Sequence, residues 1–169
     1  DAFPGRRFSV NLMPYTLMQA ESAAEIIALF RQYRINVKRI IIEITEEQAF
    51  SNSDVSINNL HQLRDFGCQI AIDDFGTGYS NYERLKRLEA DIIKIDGSFV
   101  RDVLTDPMDA MIIRSICELA KVQNLEVVAE YVETLEQQTL LSQLGVHYMQ
   151  GYLIDKPRPL CEIANRIED

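Results

Sequence analysis

Two adjacent carboxylates, Asp73 and Asp74, end the short apolar run Ile70-Ala71-Ile72, and a loop with Gly76 and Gly78 follows at once. The run is long enough for one buried strand. A buried strand cannot hold a pair of like charges uncompensated, because taking a carboxylate out of water is costly. One or two divalent cations are the natural compensation. Taken alone, the pair reads as a turn start whose glycines let the chain bend. Repetition overturns that reading.

Five other short runs end in the same way. The stretches 8–12, 39–44, 91–96, 125–130 and 146–150 bring Asn11, Glu43, Lys94, Glu130 and Gln150 to, or very near, their C-terminal ends. Each residue has a plain alternative. Asn11 forms turns readily, Glu43 can face solvent, and Lys94 can snorkel outward. Glu130 can sit near a helix N-terminus, and Gln150 before Gly151 can belong to a loop. Six equivalent positions in one chain make the joint coincidence improbable. The set is two amides, four carboxylates and a lysine. Hard oxygen donors of this kind suit Mg²⁺ or Mn²⁺ rather than zinc. His61 lies in a helical stretch and His147 opens a strand, so neither joins the set.

The elements that must position these groups alternate. Apolar residues at helical spacing fill 22–33, 54–66, 80–88, 107–120, 134–144 and 160–167. Ser53 or Asp54 caps the second of these and Gly67 ends it. Asp106-Pro107 starts the fourth, with Pro at the first helical position. Met13-Pro14 breaks the first strand, and 98–104 reads as a turn. Six strand–helix units of about 28 residues predict an α/β protein with a parallel sheet under helices. If that sheet is a TIM-like (β/α) barrel, the strand ends form one rim, where active sites sit. Periodicity alone thus reaches a divalent-metal enzyme on a TIM-like barrel.

Composition narrows the class. A chain of 169 residues reads as one domain, 1–169, and a net charge of −9 repels a nucleic-acid backbone. No apolar run approaches the roughly 18–20 residues that span a bilayer, and no secretion signal opens the sequence. Cys68, Cys117 and Cys161 have no metal-binding or disulfide spacing and read as buried thiols in a reducing cytoplasm. No initiator Met is present, so the chain reads as a piece of a longer polypeptide.

At the same residues the chain resembles a known family. SVNL at 9–12, EITE at 43–46, DDFGTGYS at 73–80, KID at 94–96, AEYVET at 129–134 and QGYLIDKP at 150–157 resemble, in order, the EAL domain, the bacterial cyclic di-GMP phosphodiesterases. The resemblance implies two-metal hydrolysis of cyclic di-GMP to linear 5′-pGpG. It makes Asn11, Glu43 and Asp73 ligands of a first Mg²⁺ or Mn²⁺, with Asp73 bridging to a second and Asp74 beside it. Glu130 would stand near that second ion and the attacking water. Lys94 would contact the water or the phosphate, and Gln150 would help hold the water. Lys94 and Pro157 are the implied substrate contacts. Glu46 would anchor the loop Phe75, Gly76, Thr77, Gly78, Tyr79 and Ser80, which the family ties to metal binding and dimerisation. A homodimer, a cytoplasmic site of action and sensory or GGDEF domains in the parent polypeptide, itself open to inner-membrane attachment, are further implications.

Three departures stand out. Glu130-Tyr131-Val132-Glu133 has Tyr131 where the family has Gly, so either the backbone there needs no positive φ or the site is reshaped. Met13 replaces the usual Ser after Asn11-Leu12. The Glu-Ala-Leu signature, with a metal-binding glutamate and a nearby substrate-binding arginine, is absent. The chain holds six of eight barrel units, two missing units being at least about 55 residues. That implies little or no activity for this polypeptide alone, and sheet edges that need cover, for instance from a second copy. Two alternatives remain at this point. A non-catalytic EAL-type receptor or interaction module would be expected to lose its metal ligands. An unrelated Mg²⁺ barrel enzyme would not carry DDFGTGYS and EITE.

Overall fold

The structure, a computed structural model, describes residues 5–49, 54–77, 85, 88–159 and 162–163. Six strands form one parallel sheet in chain order: β1 (Phe8–Asn11), β2 (Ile40–Thr45), β3 (Gln69–Phe75), β4 (Ile92–Ile95), β5 (Glu126–Ala129) and β6 (Tyr148–Met149). Every neighbouring pair is parallel. The described helices are α1 (Pro14–Leu17), α2 (Ser22–Gln32), α3 (Glu46–Ala49), α4 (Asp54–Phe66), α5 (Gly97–Arg101), α6 (Pro107–Gln123) and α7 (Leu135–Leu144), with a 3-10 turn at Val37–Arg39. No helix among the described residues is long and apolar enough to cross a membrane.

The β-branched strands suit burial on both faces. Ile42, Ile44, Ile70, Ile72, Ile93, Ile95 and Val127 are buried in the main core beneath the helices. The opposite face carries a second, small cluster of Ile41, Ala71 and Ile92, with Val128 packed on it. β1, at one edge, is exposed along its whole length.

One contact proves that the sheet curls. Arg7, just before β1, donates to Glu126 of β5 at 2.8 Å and to Gln69 at 3.2 Å. Its guanidinium lies 4.9 Å from the ring centre of Tyr148 in β6, whose hydroxyl donates to the same Glu126 at 3.0 Å. In a flat sheet β1 and β5 stand about 19 Å apart, four strand spacings, beyond any arginine's reach. The sheet therefore bends round its second face. That concave face lines a cavity of about 200 Å³, which Arg7, Glu126 and Tyr148 share with Glu43, Lys94 and Gln150.

The expected strands and the helices at 22–33, 54–66, 107–120 and 134–144 form. Asp106 caps α6 by accepting from the Met108 N–H at 2.8 Å, with Pro107 in the first turn. Thr134 and Gln137 make a reciprocal capping box on α7, which ends at Gly145. Three short helices depart from the expectation. Pro14 starts α1 instead of only breaking β1, since Pro fits a first helical position. Buried Asn59 on α4 holds that segment through its amide, which donates to Leu17 O and Gln19 O at 2.8 Å each. Glu46 opens α3 directly after β2. The turn expected at 98–104 is α5, capped by the Asp96 carboxylate, which accepts from the Ser98 N–H at 2.9 Å. Of the helices expected at 80–88 and 160–167, only Leu85, Leu88 and residues 162–163 are described, all helical; the remainder, with Cys161, lies outside the described residues.

Cys68 and Cys117 are buried, and burial pushes both thiols up to about 11, so they stay neutral small hydrophobes. Ile93 is fully buried in β4, at the middle of the core. Its truncation to Ala is expected to cost about 2–5 kcal/mol of unfolding free energy in urea denaturation.

Candidate functional site

The strand ends meet as the curl requires. Asn11 and Glu43 stand side by side in register across β1 and β2. Lys94 of β4 lies on the same concave face and is 4% exposed. It does not snorkel. Its ammonium meets three carboxylates from three strands or their ends: Glu130 Oε1 at 2.7 Å, Asp73 Oδ1 at 2.9 Å and Glu43 Oε2 at 3.0 Å. An ammonium has three N–H donors, and here each has a carboxylate.

The Asp73-Asp74 pair owes its geometry to a register shift. Ile72 pairs with Ile93, but Phe75 pairs with Ile95, so Asp73 and Asp74 together oppose Lys94. This is a β-bulge, and Asp74 takes a φ of 55° to make it. In a regular strand adjacent side chains point to opposite faces, and the pair would be split. The bulge also returns Phe75 to the convex side, where it is buried in the main core. Carboxylate oxygens of Asp73, Asp74 and Glu130 lie within 4.8 Å of one another.

One further acid belongs here. Asp96, the α5 cap, hydrogen-bonds the Asp74 carboxyl. The KID run at 94–96 contained it, but strand alternation alone gave it no role. The cluster now counts five carboxylates to one ammonium. Burial foremost pushes Glu130 up, against the pull of Lys94, with Asp73 and Asp74 adding to the rise. Burial and the neighbouring Asp73 and Asp96 raise Asp74 as well. Asp96 goes down despite its burial, because the Ser98 hydroxyl and the Ser98 and Gly97 N–H groups donate to it and it shares a hydrogen bond with the Asp74 carboxyl. Burial works against the charge on Lys94, yet its carboxylates outweigh that and raise it. The cluster is thus short of positive charge. Hard divalent cations fit that deficit and this donor set.

A glutamate holds the residue that follows β3. Glu46 is 5% exposed and accepts from the Gly76 N–H at 3.0 Å. Gly76 has a φ of 104°, and a Cβ there would come within 3.0 Å of the Phe99 ring, so glycine is required. Thr77 donates to Asp74 O at 3.0 Å. Gly78, Tyr79 and Ser80 lie outside the described residues. Gln150 is exposed and lines the cavity with Glu43 and Lys94, while its N–H donates to Ala129 O at 2.9 Å. Pro157 is exposed further along the chain after β6. His61 sits in α4, and His147 spends its Nδ1 accepting from the Val127 N–H at 2.9 Å. At Tyr131 the backbone does take the left-handed conformation, with φ 55°.

Comparison with known proteins agrees in order and extent. The model of the EAL domain family matches residues 1–157. The chain is 63% identical over 158 residues to Probable cyclic di-GMP phosphodiesterase PdeA of Escherichia coli, covering 94% of this chain and 22% of that protein. The solved structure named PaMucR Phosphodiesterase, c-di-GMP complex is similar with a TM-score of 0.88 at 37% identity, covering 93% of this chain and 64% of that one. A manganese/cy-diGMP complex of Klebsiella pneumoniae BlrP1 gives a TM-score of 0.80 at 32% identity, covering 87% and 38%. The chain spans about a fifth of the length of the curated relatives it matches.

Two outcomes follow from the cluster. Glu130 and Asp74 titrate above their unfolded values, so the stability they contribute is present at low pH and is lost as pH rises through their raised pKa values. Lys94→Met removes the compensating charge and is expected to cost about 3–5 kcal/mol in metal-free protein. That loss should grow between about pH 4 and pH 7 and shrink when Mn²⁺ is added, as read by denaturant midpoints. Glu46→Ala removes the anchor of the loop and is expected to speed exchange of the Gly76 amide about tenfold or more by hydrogen exchange.

Proposed function

The chain belongs to the EAL domain family, and from that membership together with the geometry of its rim we propose that it is the hydrolytic domain of a cyclic di-GMP phosphodiesterase. The reaction would cut cyclic di-GMP to linear 5′-pGpG in bacterial second-messenger signalling. The observation that carries this reading is the bulge at Asp73-Asp74, which turns two carboxylates of one strand toward the buried ammonium that Glu43 and Glu130 share. The names of the similar proteins support it, as does the cyclic di-GMP in the similar complexes.

Asn11, Glu43 and Asp73 would hold one divalent ion, with Asp73, Asp74 and Glu130 around a second. Mg²⁺ and Mn²⁺ are the candidates, and manganese occurs in one similar complex. When bound, such ions would supply Lewis-acid activation of water and neutralise the phosphodiester's charge. The remaining work falls to the chain. Lys94 fixes three carboxylates in one arrangement and adds positive charge beside the phosphate as negative charge builds there. Gln150, which lines the same cavity, would orient a water. Glu46 would anchor the start of the loop that follows Phe75, through Gly76. The retained set of Glu43, Asp73, Asp74 and Glu130 favours catalysis over a receptor role, since sensing requires no such set.

We further assign 1–169 to one domain, acting in the cytoplasm as a homodimer through the 75–80 loop. The parent polypeptide would add sensory or GGDEF domains. The test is hydrolysis of cyclic di-GMP by the full-length protein with Mg²⁺ or Mn²⁺, with 5′-pGpG read by chromatography. Asp73→Asn should lower kcat by more than the about 10–100-fold that losing an outer-shell partner of a metal site costs. Binding of cyclic di-GMP with no product would move the assignment to a receptor.

A further inference from the structure

Tyr131 is in an unusual position. Its φ of 55° is one that a bulky aromatic side chain rarely adopts, and such strain gathers at functional sites. Burial does not explain it. Glu130 before it is 8% exposed and Val132 after it 0%, while Tyr131 itself is 59% exposed. The phenol therefore contributes little to the core, and a glycine would fit the backbone better.

The ring is nonetheless held in place. A Cβ on Gly97 would fall 2.2 Å from Tyr131 Cδ2, so the ring occupies the space that a side chain at position 97 would fill. The backbone on its other side is pinned: the Val132 N–H donates to Gln150 O at 3.0 Å, and the Leu153 N–H donates to Val132 O at 3.0 Å. Tyr131 thus stands between the Asp96-Gly97 corner and the chain that runs from Gln150 toward Pro157. It follows Glu130 directly. It is an aromatic surface between Glu130, its chain neighbour, and Gly97, which follows Asp96, with much of it open to solvent.

The chemistry of the cluster leaves a gap that such a surface fills. Carboxylates with divalent ions recognise phosphate, but nothing in them recognises a nucleobase. A base needs a π surface, and an aromatic side chain supplies one. Nearby, Tyr152 is equally exposed, with Lys156 Nζ 5.0 Å from its ring centre, so the edge beyond Gln150 is aromatic and basic where the floor is acidic.

Resting on the phosphodiesterase reading above, we propose that Tyr131 is a substrate-contacting specificity residue whose ring, seated on Gly97, stacks on a guanine base of the cyclic dinucleotide. It acts on binding and leaves the chemical step alone.

The test is steady-state kinetics with cyclic di-GMP on the full-length, Mn²⁺-loaded protein, with Mn²⁺ affinity measured separately by calorimetry. Tyr131→Leu keeps an apolar side chain without the π face. It is expected to raise KM about five- to fiftyfold, with kcat and Mn²⁺ affinity within about twofold of wild type. Tyr131→Phe should keep the wild-type KM. Tyr131→Gly relieves the backbone, so it folds, and should match Tyr131→Leu. Gly97→Ala, which displaces the ring, should raise KM in the Tyr131 background and do nothing more in Tyr131→Gly. A parallel fall of kcat and Mn²⁺ affinity would make Tyr131 a support for Glu130 and overturn the base contact. Unchanged KM in both Tyr131→Leu and Tyr131→Gly would overturn it too, with the phosphodiesterase reading intact. A wild type that neither binds nor cuts cyclic di-GMP would overturn both.

Discussion

The charge of a single ammonium holds this site together. Lys94 is buried at the C-terminal end of a central strand, where an isolated cation would be expelled or neutralised. It stays charged because Glu43, Asp73 and Glu130 each accept one of its three donors. The dependence is mutual. Those carboxylates come from β2, from β3 and from just beyond β5, and their approach is tolerable only around positive charge. The strands therefore cannot slide or flatten without leaving a buried ion unpaired, so the curl of the sheet and the electrostatics of the site are one constraint. Arg7 repeats the arrangement at the opposite end of the concave face, joining the start of β1 to β5 and β6 through Glu126 and Tyr148. The cluster remains acidic even so, with Glu130 and Asp74 both pushed toward protonation. A surplus of carboxylate is a poor choice for stability and a good one for binding hard cations.

Local irregularity supplies what regular strands cannot. A parallel strand offers one inward residue in two, so two consecutive aspartates would normally serve opposite faces. The bulge at β3 suspends that alternation for one step. It then restores Phe75 to the core on the other face, so the departure costs the fold nothing in buried area there. Glu46 and Asp96 stabilise the same corner from two sides, one through Gly76 and the other through Asp74 and the first turn of α5. Among the described residues, three of the five non-glycine residues with positive φ lie elsewhere, at Arg34, Glu89 and Asn124; the other two, Asp74 and Tyr131, are at the site.

Much of this could be read from the chain alone. Runs such as Ile40 to Ile44 and Ile92 to Ile95 are β-branched and can be little else than buried strands. Their regular alternation with helical spacing fixes a parallel α/β sheet, because parallel neighbours need a crossover of about helix length. Hard oxygen donors at five of six equivalent strand ends, with Lys94 at the sixth, pointed to one rim and to divalent cations. DDFGTGYS and EITE pointed to the family. The short helices α1, α3 and α5 did not show, since four or five residues leave no periodic trace and depend on a cap or a tertiary partner such as Asn59.

Only the folded chain decided how the groups meet. No pattern in the sequence says that Asp73 and Asp74 share one opposing residue, because a bulge is a property of two paired strands and appears in neither alone. Nothing in KID distinguishes Asp96, whose role arises when α5 begins beneath it and Asp74 turns toward it. The sequence left the backbone at Tyr131 open between two states, and the ring's seat on Gly97, thirty-four positions earlier, goes with the strained one. Residue types and spacing determined the scaffold, because burial and periodicity are local. Register, curl and the sharing of a proton or a cation are long-range, and tertiary structure alone sets them.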